Sequence, residues 1–182
     1  MNIVVYCGSG SGRDKAFLAD TLELGRRIGE AGHSLVFGAS DCGLMGAVSR
    51  AVSEHGGKSI GVVPNDIPFI AELCSTSLTR RVDAGSMADR KQKMIALGDA
   101  FVALPGGMGT LDEVTEIMEL VKIGEKKPVV LLNTKGIYDH LKMLLDRMIA
   151  EEFIGAGEMD FVCFAGNAAE AMDFIEGRTA GK

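Results

Sequence analysis

Two short segments place charged side chains next to clustered glycine. Residues 87–95 read Met-Ala-Asp-Arg-Lys-Gln-Lys-Met-Ile, and residues 105–113 read Pro-Gly-Gly-Met-Gly-Thr-Leu-Asp-Glu. On a helical wheel Met87, Met94, Ile95 and Leu97 form one apolar stripe, with Arg90 and Lys91 inside it and Asp89, Gln92 and Lys93 facing away. Cations on a buried face are costly unless an anion meets them. That anion is either a ligand phosphate or carboxylate, which the adjacent Arg-Lys pair favours, or an internal carboxylate. The second segment follows the apolar run 100–104 and opens an amphipathic helix near Leu111. Gly106, Gly107 and Gly109 let backbone N–H groups face outward, and a helix N-terminus adds unpaired donors and a positive dipole end. The result is a cradle for phosphate or carboxylate. A competing reading is a plain strand–helix turn closed by a capping box of Thr110 and Glu113, although a cap needs no such glycine density. Of Asp112, Glu113, Glu116 and Glu119, only Glu113 lies in the first turn and close to a ligand held by the glycines. The others fit a solvated helix face.

These side chains need a scaffold, and the hydrophobic pattern supplies one. Short β-branched and apolar runs at 3–6, 35–37, 59–63, 78–82, 100–104, 129–132 and 161–164 read as strands. Helical periodicity separates them: Phe17, Thr21, Leu24 and Ile28; Leu111, Val114, Met118 and Val121; Tyr138, Leu141, Leu145 and Met148. Alternation of this kind implies βαβ units and an α/β fold, a three-layer doubly wound, Rossmann-like parallel sheet with helices on both faces. Residues 1–176 read as one nucleotide-binding domain and 177–182 as a flexible C-terminal tail. Ligands in such folds sit outside the carboxyl ends of the strands. Glycine loops at 7–12, 38–43 and 105–110 therefore point to one crevice; the glycine of a fourth candidate, Gly61, falls within a strand.

Glycine makes up 24 of the 182 residues, against a usual share of roughly 7%. Without a collagen-like period, this marks turns and close approaches to a ligand. A net charge of −6, no tryptophan and no long basic run argue against nucleic acid as a partner. Cys7, Cys42, Cys74 and Cys163 are scattered, without metal-ligand spacing, and read as reduced core thiols of a cytoplasmic protein. The three histidines show no partner pattern. No apolar stretch is long enough to span a membrane, and no metal or cofactor is called for.

Several familiar chemistries are absent. After Gly8 and Gly10, the third glycine of a dinucleotide fingerprint is replaced by Arg13, so the first loop is either a tight turn or a ligand loop of another kind. The triplet Gly57-Lys58-Ser59 lacks the first P-loop glycine and precedes a strand. No G-x-S-x-G elbow is present.

Taken together, Met87-x-x-Arg90-Lys91-x-x-Met94 and Pro105-Gly106-Gly107-x-Gly109-Thr110-x-x-Glu113 resemble the paired signatures of the LOG ("lonely guy") family. The similarity extends to Val5-Tyr6-Cys7-Gly8-Ser9, Gly43-Leu44-Met45-Gly46, 60–64 and Lys127-Pro128-Val129. Members are cytokinin riboside 5′-monophosphate phosphoribohydrolases, and bacterial relatives hydrolyse AMP. The resemblance implies a homodimeric enzyme that cleaves the N-glycosidic bond of a nucleoside 5′-monophosphate. It implies catalytic roles for Arg90 and Glu113, and substrate contacts from Glu72, Lys91 and the loop Gly106, Gly107, Met108, Gly109, Thr110, Leu111 and Asp112. Gly8, Ser9 and Met87 complete the candidate substrate-binding set. Such proteins have also been described as lysine decarboxylases, but nothing in the sequence suggests a pyridoxal phosphate site. The chain departs from the common family pattern at Ala88, at Gly38-Ala39-Ser40 in place of three glycines, and at Glu119, positions that bear on base preference. Relatives of the fold carry molybdenum cofactor, so a non-catalytic nucleotide- or cofactor-binding protein is the alternative.

Overall fold

The computed structural model describes residues 1–68, 77–155 and 157–179. Within them lie seven strands and six α-helices: β1 (Asn2–Tyr6), α1 (Lys15–Glu30), β2 (Ser34–Phe37), α2 (Gly43–Glu54), β3 (Lys58–Pro64), β4 (Arg80–Ala84), α3 (Met87–Leu97), β5 (Ala100–Ala103), α4 (Met108–Lys122), β6 (Val129–Leu132), α5 (Asp139–Ala150), β7 (Val162–Ala165) and α6 (Ala168–Thr179). A single 3-10 turn, Thr134–Gly136, precedes α5. All neighbouring strands pair in parallel, in the order β4-β3-β2-β1-β5-β6-β7. The expected α/β, doubly wound, three-layer sheet is therefore the fold. Among the described residues no helix is long and apolar enough to cross a membrane.

Period-2 alternation along the strands divides the core. Ile3 and Val5 point to the side covered by α1, α2 and α6, where they meet Leu24, Ile28, Val48, Val52 and Ile175. Val4 and Tyr6 point to the opposite side, against Met94, Val114, Ile117 and Tyr138. With both faces covered, the central strands read as unbroken apolar runs; all four residues of β5 and of β6 are buried.

Each expected strand run overlaps an observed strand, with one displaced by two residues. β4 starts at Arg80, after Leu78. Leu78 covers Gly61 from outside the strand, lying 2.6 Å from where a Cβ on that glycine would sit. β4 is a sheet edge and carries Arg80, Arg81 and Asp83, charges that discourage edge-to-edge pairing and weaken the apolar signal. The tail reading is corrected for 177–179: Gly177 to Thr179 belong to α6, where the Thr179 hydroxyl donates to the Ile175 carbonyl at 2.9 Å.

The strand order turns around at β1. From β1 the chain winds outward through β2 and β3 to β4, then returns to the other side of β1 as β5. The loops leaving β1 and β5 therefore diverge and open a crevice at their carboxyl ends, where ligands bind in this architecture.

Candidate active site

Three glycine loops meet in that crevice. The Gly8 N–H donates to the Pro105 carbonyl at 3.1 Å, tying the loop after β1 to the loop after β5. The contact is close enough that a Cβ on Gly8 would lie 3.4 Å from the Gly106 α-carbon. The third loop leads into α2, and a Cβ on Gly43 would collide with the Ser9 carbonyl at 2.2 Å. Gly43 also has φ +54°, which favours glycine on its own account. Gly61, by contrast, lies in β3 beneath Leu78 and Ala39. A cavity of about 210 Å³ opens between these loops and α3, lined by Cys7, Gly8, Ser9, Met45, Met87, Arg90, Lys91, Gly107, Gly109, Thr110, Asp112 and Glu113.

α3 presents the cations. Its N-terminus is capped reciprocally: the Ser86 hydroxyl accepts from the Asp89 N–H at 3.2 Å, while the Asp89 carboxylate accepts from the Gly85 N–H at 2.7 Å. Lys93 adds an ion pair to Asp89, and together with the Gly85 N–H it holds that carboxyl below its ordinary range. Fixing this end sets the rotation of the helix, so Arg90 points into the protein and is 6% exposed. Its Nε donates to the Val62 carbonyl at 3.0 Å, at the end of β3. Nη1 lies 3.6 Å from Glu113 Oε1. Lys91 turns the other way, its Nζ reaching Asp112 at 3.0 Å and Glu116 at 3.0 Å. Gln92 also donates to Glu116, at 2.9 Å, so the two helices are clasped beside the cavity.

α4 presents the cradle and the carboxylate. It begins at Met108 with Gly107 at the N-cap and no side-chain cap. The capping-box reading is thereby corrected: Thr110 lies inside the first turn, buried at 3% exposure, and Glu113 is a turn further on. The Leu111 N–H bonds to the Gly107 carbonyl at 3.1 Å, so helix geometry leaves the N–H groups of 108–110 for a ligand. Gly107 and Gly109 face open space, with no atom within 4 Å of a Cβ built on either. Gly106 is the opposite case, since its Cβ would strike Thr110 Oγ1 at 2.1 Å.

Glu113 ionises far from the ordinary carboxylate range. Burial pushes its pKa up to about 7, and Asp112 and Glu116 push the same way. Arg90 and, more weakly, Lys91 pull against them without prevailing. Two groups at the carboxyl end of β1 and just beyond it feel its charge in turn: burial and Glu113 push both the Tyr6 hydroxyl and the Cys7 thiol upward, so Cys7 stays a neutral thiol at the cavity wall. A buried carboxyl poised near neutrality, next to a guanidinium and an anion cradle, is the arrangement that acid–base and carbocation-stabilising chemistry uses.

The structure thus gathers Gly8, Ser9, Met87, Arg90, Lys91, Gly107, Gly109, Thr110, Asp112 and Glu113 around one cavity. Gly106 lines the neighbouring hollow on the far side of Gly8 and Gly107. Met108 is 80% exposed, Leu111 is half-buried against the core, and neither lines the cavity. Glu72 and Cys74 lie outside the described residues. Three further expectations change. Lys91 meets internal carboxylates, and Glu116 serves that clasp instead of a solvated face. Cys42 is exposed, not a core thiol. Met45, Gly38 and Val62 stood in the sequence only as members of a glycine loop or of family landmarks; their places beside Arg90 and the cavity were not read from it.

A lysine that forms a Schiff base must give up its proton, which calls for a depressed pKa. Lys91, the lysine at this cavity, is held as an ammonium by Glu116 and Asp112, which raise its pKa. The site therefore does not fit pyridoxal phosphate chemistry.

Comparison with known proteins agrees with the geometry. The family described as "Possible lysine decarboxylase" matches residues 45–175. The cytokinin riboside 5′-monophosphate phosphoribohydrolase LOG of Oryza sativa subsp. japonica is 38% identical over 175 residues, which span 96% of this chain and 72% of the rice protein. The phosphoribohydrolase LOG2 of Arabidopsis thaliana is 34% identical over 175 residues, 96% of this chain and 82% of the plant protein. Among solved structures, a molybdenum cofactor carrier protein from Chlamydomonas reinhardtii superposes with a TM-score of 0.77 at 24% identity, covering 100% of this chain and 98% of the other, which shows a shared fold. With both paired motifs assembled in one cavity and matches of this extent, the chain belongs to the LOG family.

Proposed function

We propose that this protein is a phosphoribohydrolase that cleaves the N-glycosidic bond of a nucleoside 5′-monophosphate, AMP or a cytokinin riboside 5′-monophosphate, to free base and ribose 5-phosphate. The observation that carries the reading is the buried Arg90–Glu113 pair at 3.6 Å, in the same cavity as an uncapped, glycine-lined helix N-terminus. The plant relatives, named as cytokinin riboside 5′-monophosphate phosphoribohydrolases, support it. The 5′-phosphate sits on the N–H groups of 108–110, which orient the ribose toward Glu113. As the C1′–N bond breaks, positive charge develops on the ribose, and ionised Glu113 stabilises it and directs a water to C1′. Hydroxide from that water joins C1′, and its proton ends on the departing base. Arg90 anchors the ligand and holds Glu113 partly ionised.

Incubating the purified protein with AMP and following adenine and ribose 5-phosphate tests the activity. Binding without turnover would favour the carrier reading. AMP or ribose 5-phosphate is also expected to raise the melting temperature, because a ligand bound only by the folded state stabilises it by mass action. Adenosine should do so much less, and equal shifts would remove the phosphate cradle.

A homodimer is part of the same proposal. No residue of α5 is fully buried, although its sequence carries a strong apolar stripe. Leu141, Leu145 and Met148 line an apolar groove of about 640 Å³ against Met118 of α4. Leu144 at 51% and Phe153 at 77% exposure flank it. Exposed apolar surface of this kind is what a self-complementary interface covers. Leu144→Glu with Phe153→Glu is expected to halve the mass measured by light scattering at micromolar concentration. A wild-type monomer would sink the idea.

A further inference from the structure

We infer that Gly38 is a positioning residue of this site: its bare α-carbon is the seat on which the Arg90 guanidinium lies, so that Nη1 is aimed at Glu113. The register pairs Phe37 of β2 with Gly61 of β3, which sets Gly38 beside Val62 at the carboxyl end of the sheet. Arg90 reaches this spot from α3 and is fixed there by the bond from Nε to the Val62 carbonyl. A Cβ on Gly38 would lie 1.7 Å from Arg90 Nη2 and 2.9 Å from Cζ. The next neighbour, the Met45 sulfur, is 3.4 Å away, a tolerable contact. The empty position is therefore occupied by the guanidinium and by nothing else at such range. Gly38 needs no positive φ, so conformational freedom does not account for it; the next residue, Ala39, takes the left-handed turn instead, at φ +68°. A methyl group here cannot push the sheet aside, whereas the flexible end of Arg90 can move. The chain still folds, and the guanidinium leaves both Val62 and Glu113.

The catalytic consequence rests on the phosphoribohydrolase reading above; the placement of Arg90 does not. Gly38→Ala is expected to lower kcat/KM for AMP by roughly a hundredfold, as displacements of about 1 Å at a reacting centre do. In an Arg90→Ala background the same change should cost nothing further, because the group it displaces is already gone. The pH midpoint of kcat/KM should also rise in Gly38→Ala. Withdrawing Arg90 leaves Glu113 facing Lys91 from α3, Asp112 and Glu116 from α4, Tyr6 from β1 and Cys7 from the loop after it, a set with one cation. Additive losses in the double variant, or an unshifted midpoint, would overturn the assignment. A second readout needs no activity. The Arg90 Nε–H, identified by its disappearance in Arg90→Ala, should exchange slowly with solvent in wild type and rapidly in Gly38→Ala. Persistence of the slow signal in Gly38→Ala refutes the seat, even if wild type hydrolyses nothing. Loss of the signal in a wild type without activity keeps the seat and retires only the reaction. If Gly38→Ala melts too low to assay, Gly38→Ala/Arg90→Ala should recover the melting temperature of Arg90→Ala, and failure to recover it counts against the seat.

Discussion

Glu113→Gln is expected to reduce AMP hydrolysis by at least roughly a hundredfold while raising the melting temperature above pH 8. The two effects share one cause. Folding lifts the Glu113 pKa from 4.5 to about 7, chiefly by burial. Between those values the folded state holds more protons than the unfolded chain, so this group's contribution falls as pH rises and the full penalty is present above about pH 7. A lift of that size corresponds to about 3 kcal/mol at most. Gln has the same shape, cannot ionise and escapes the penalty, so the variant should melt like wild type at pH 5 and higher at pH 8.5. What it loses is the negative charge that the ribose cation would feel, and each tenfold of rate is about 1.4 kcal/mol of that stabilisation. Wild-type kcat/KM should accordingly climb through about pH 7 as Glu113 ionises. A variant with the wild-type rate would remove Glu113 from the reaction. A melting difference that does not change with pH would show that Glu113 is not the buried ionising group.

The sheet was legible because its strands are buried on both faces: runs such as 100–104 and 129–132 have nothing but apolar residues to read. The site was legible in its chemistry and less so in its partners. Arg90 and Lys91 are neighbours in sequence and fall within one stripe of the wheel, yet the roughly 100° between them separates a cation held under the sheet from one clasped by Asp112 and Glu116. Which anion meets which cation depends on the packing of α3 against α4, and periodicity along one helix carries no information about that. The capping box, weighed as the competing reading, also pointed to the wrong helix. Thr110 and Glu113 have the right spacing, but Gly107 starts α4 three residues before Thr110, whereas Ser86 and Asp89 cap α3 in fact. The contact between Gly38 and Arg90 was hidden for a related reason. A glycine after a strand looks like a turn, and its tie to Arg90 crosses 52 positions of sequence through the register of β2 on β3. α5 shows the opposite limit: its periodicity gave the helix but not how far the stripe would be covered, and the structure leaves it half exposed.

Gly109→Ala separates the cradle from the scaffold, because stability and function should move in opposite directions. Gly109 is the second residue of α4, and a Cβ built on it meets no protein atom within 4 Å. Alanine there reduces the conformational entropy lost on folding and favours the helix by roughly 0.5–1 kcal/mol, which in a chain of this length raises the melting temperature by about 1–4 °C. Gly109 lines the cavity together with Glu113 and Arg90, so the same methyl group is added at the cavity wall. A phosphate oxygen must come within about 3 Å of a backbone nitrogen to accept its hydrogen bond, and a carbon beside that path holds it off. AMP affinity should fall by tenfold or more, at roughly 1.4 kcal/mol for each tenfold, and kcat/KM should fall with it because the ribose is no longer presented to Glu113. Gly106→Ala makes the contrast, since its methyl would collide with Thr110 Oγ1 and lower the melting temperature along with activity. Calorimetric titration with AMP beside a melting curve decides the matter. If Gly109→Ala binds AMP as wild type does, the phosphate is held elsewhere, and the open N-terminus of α4 is only the start of a helix.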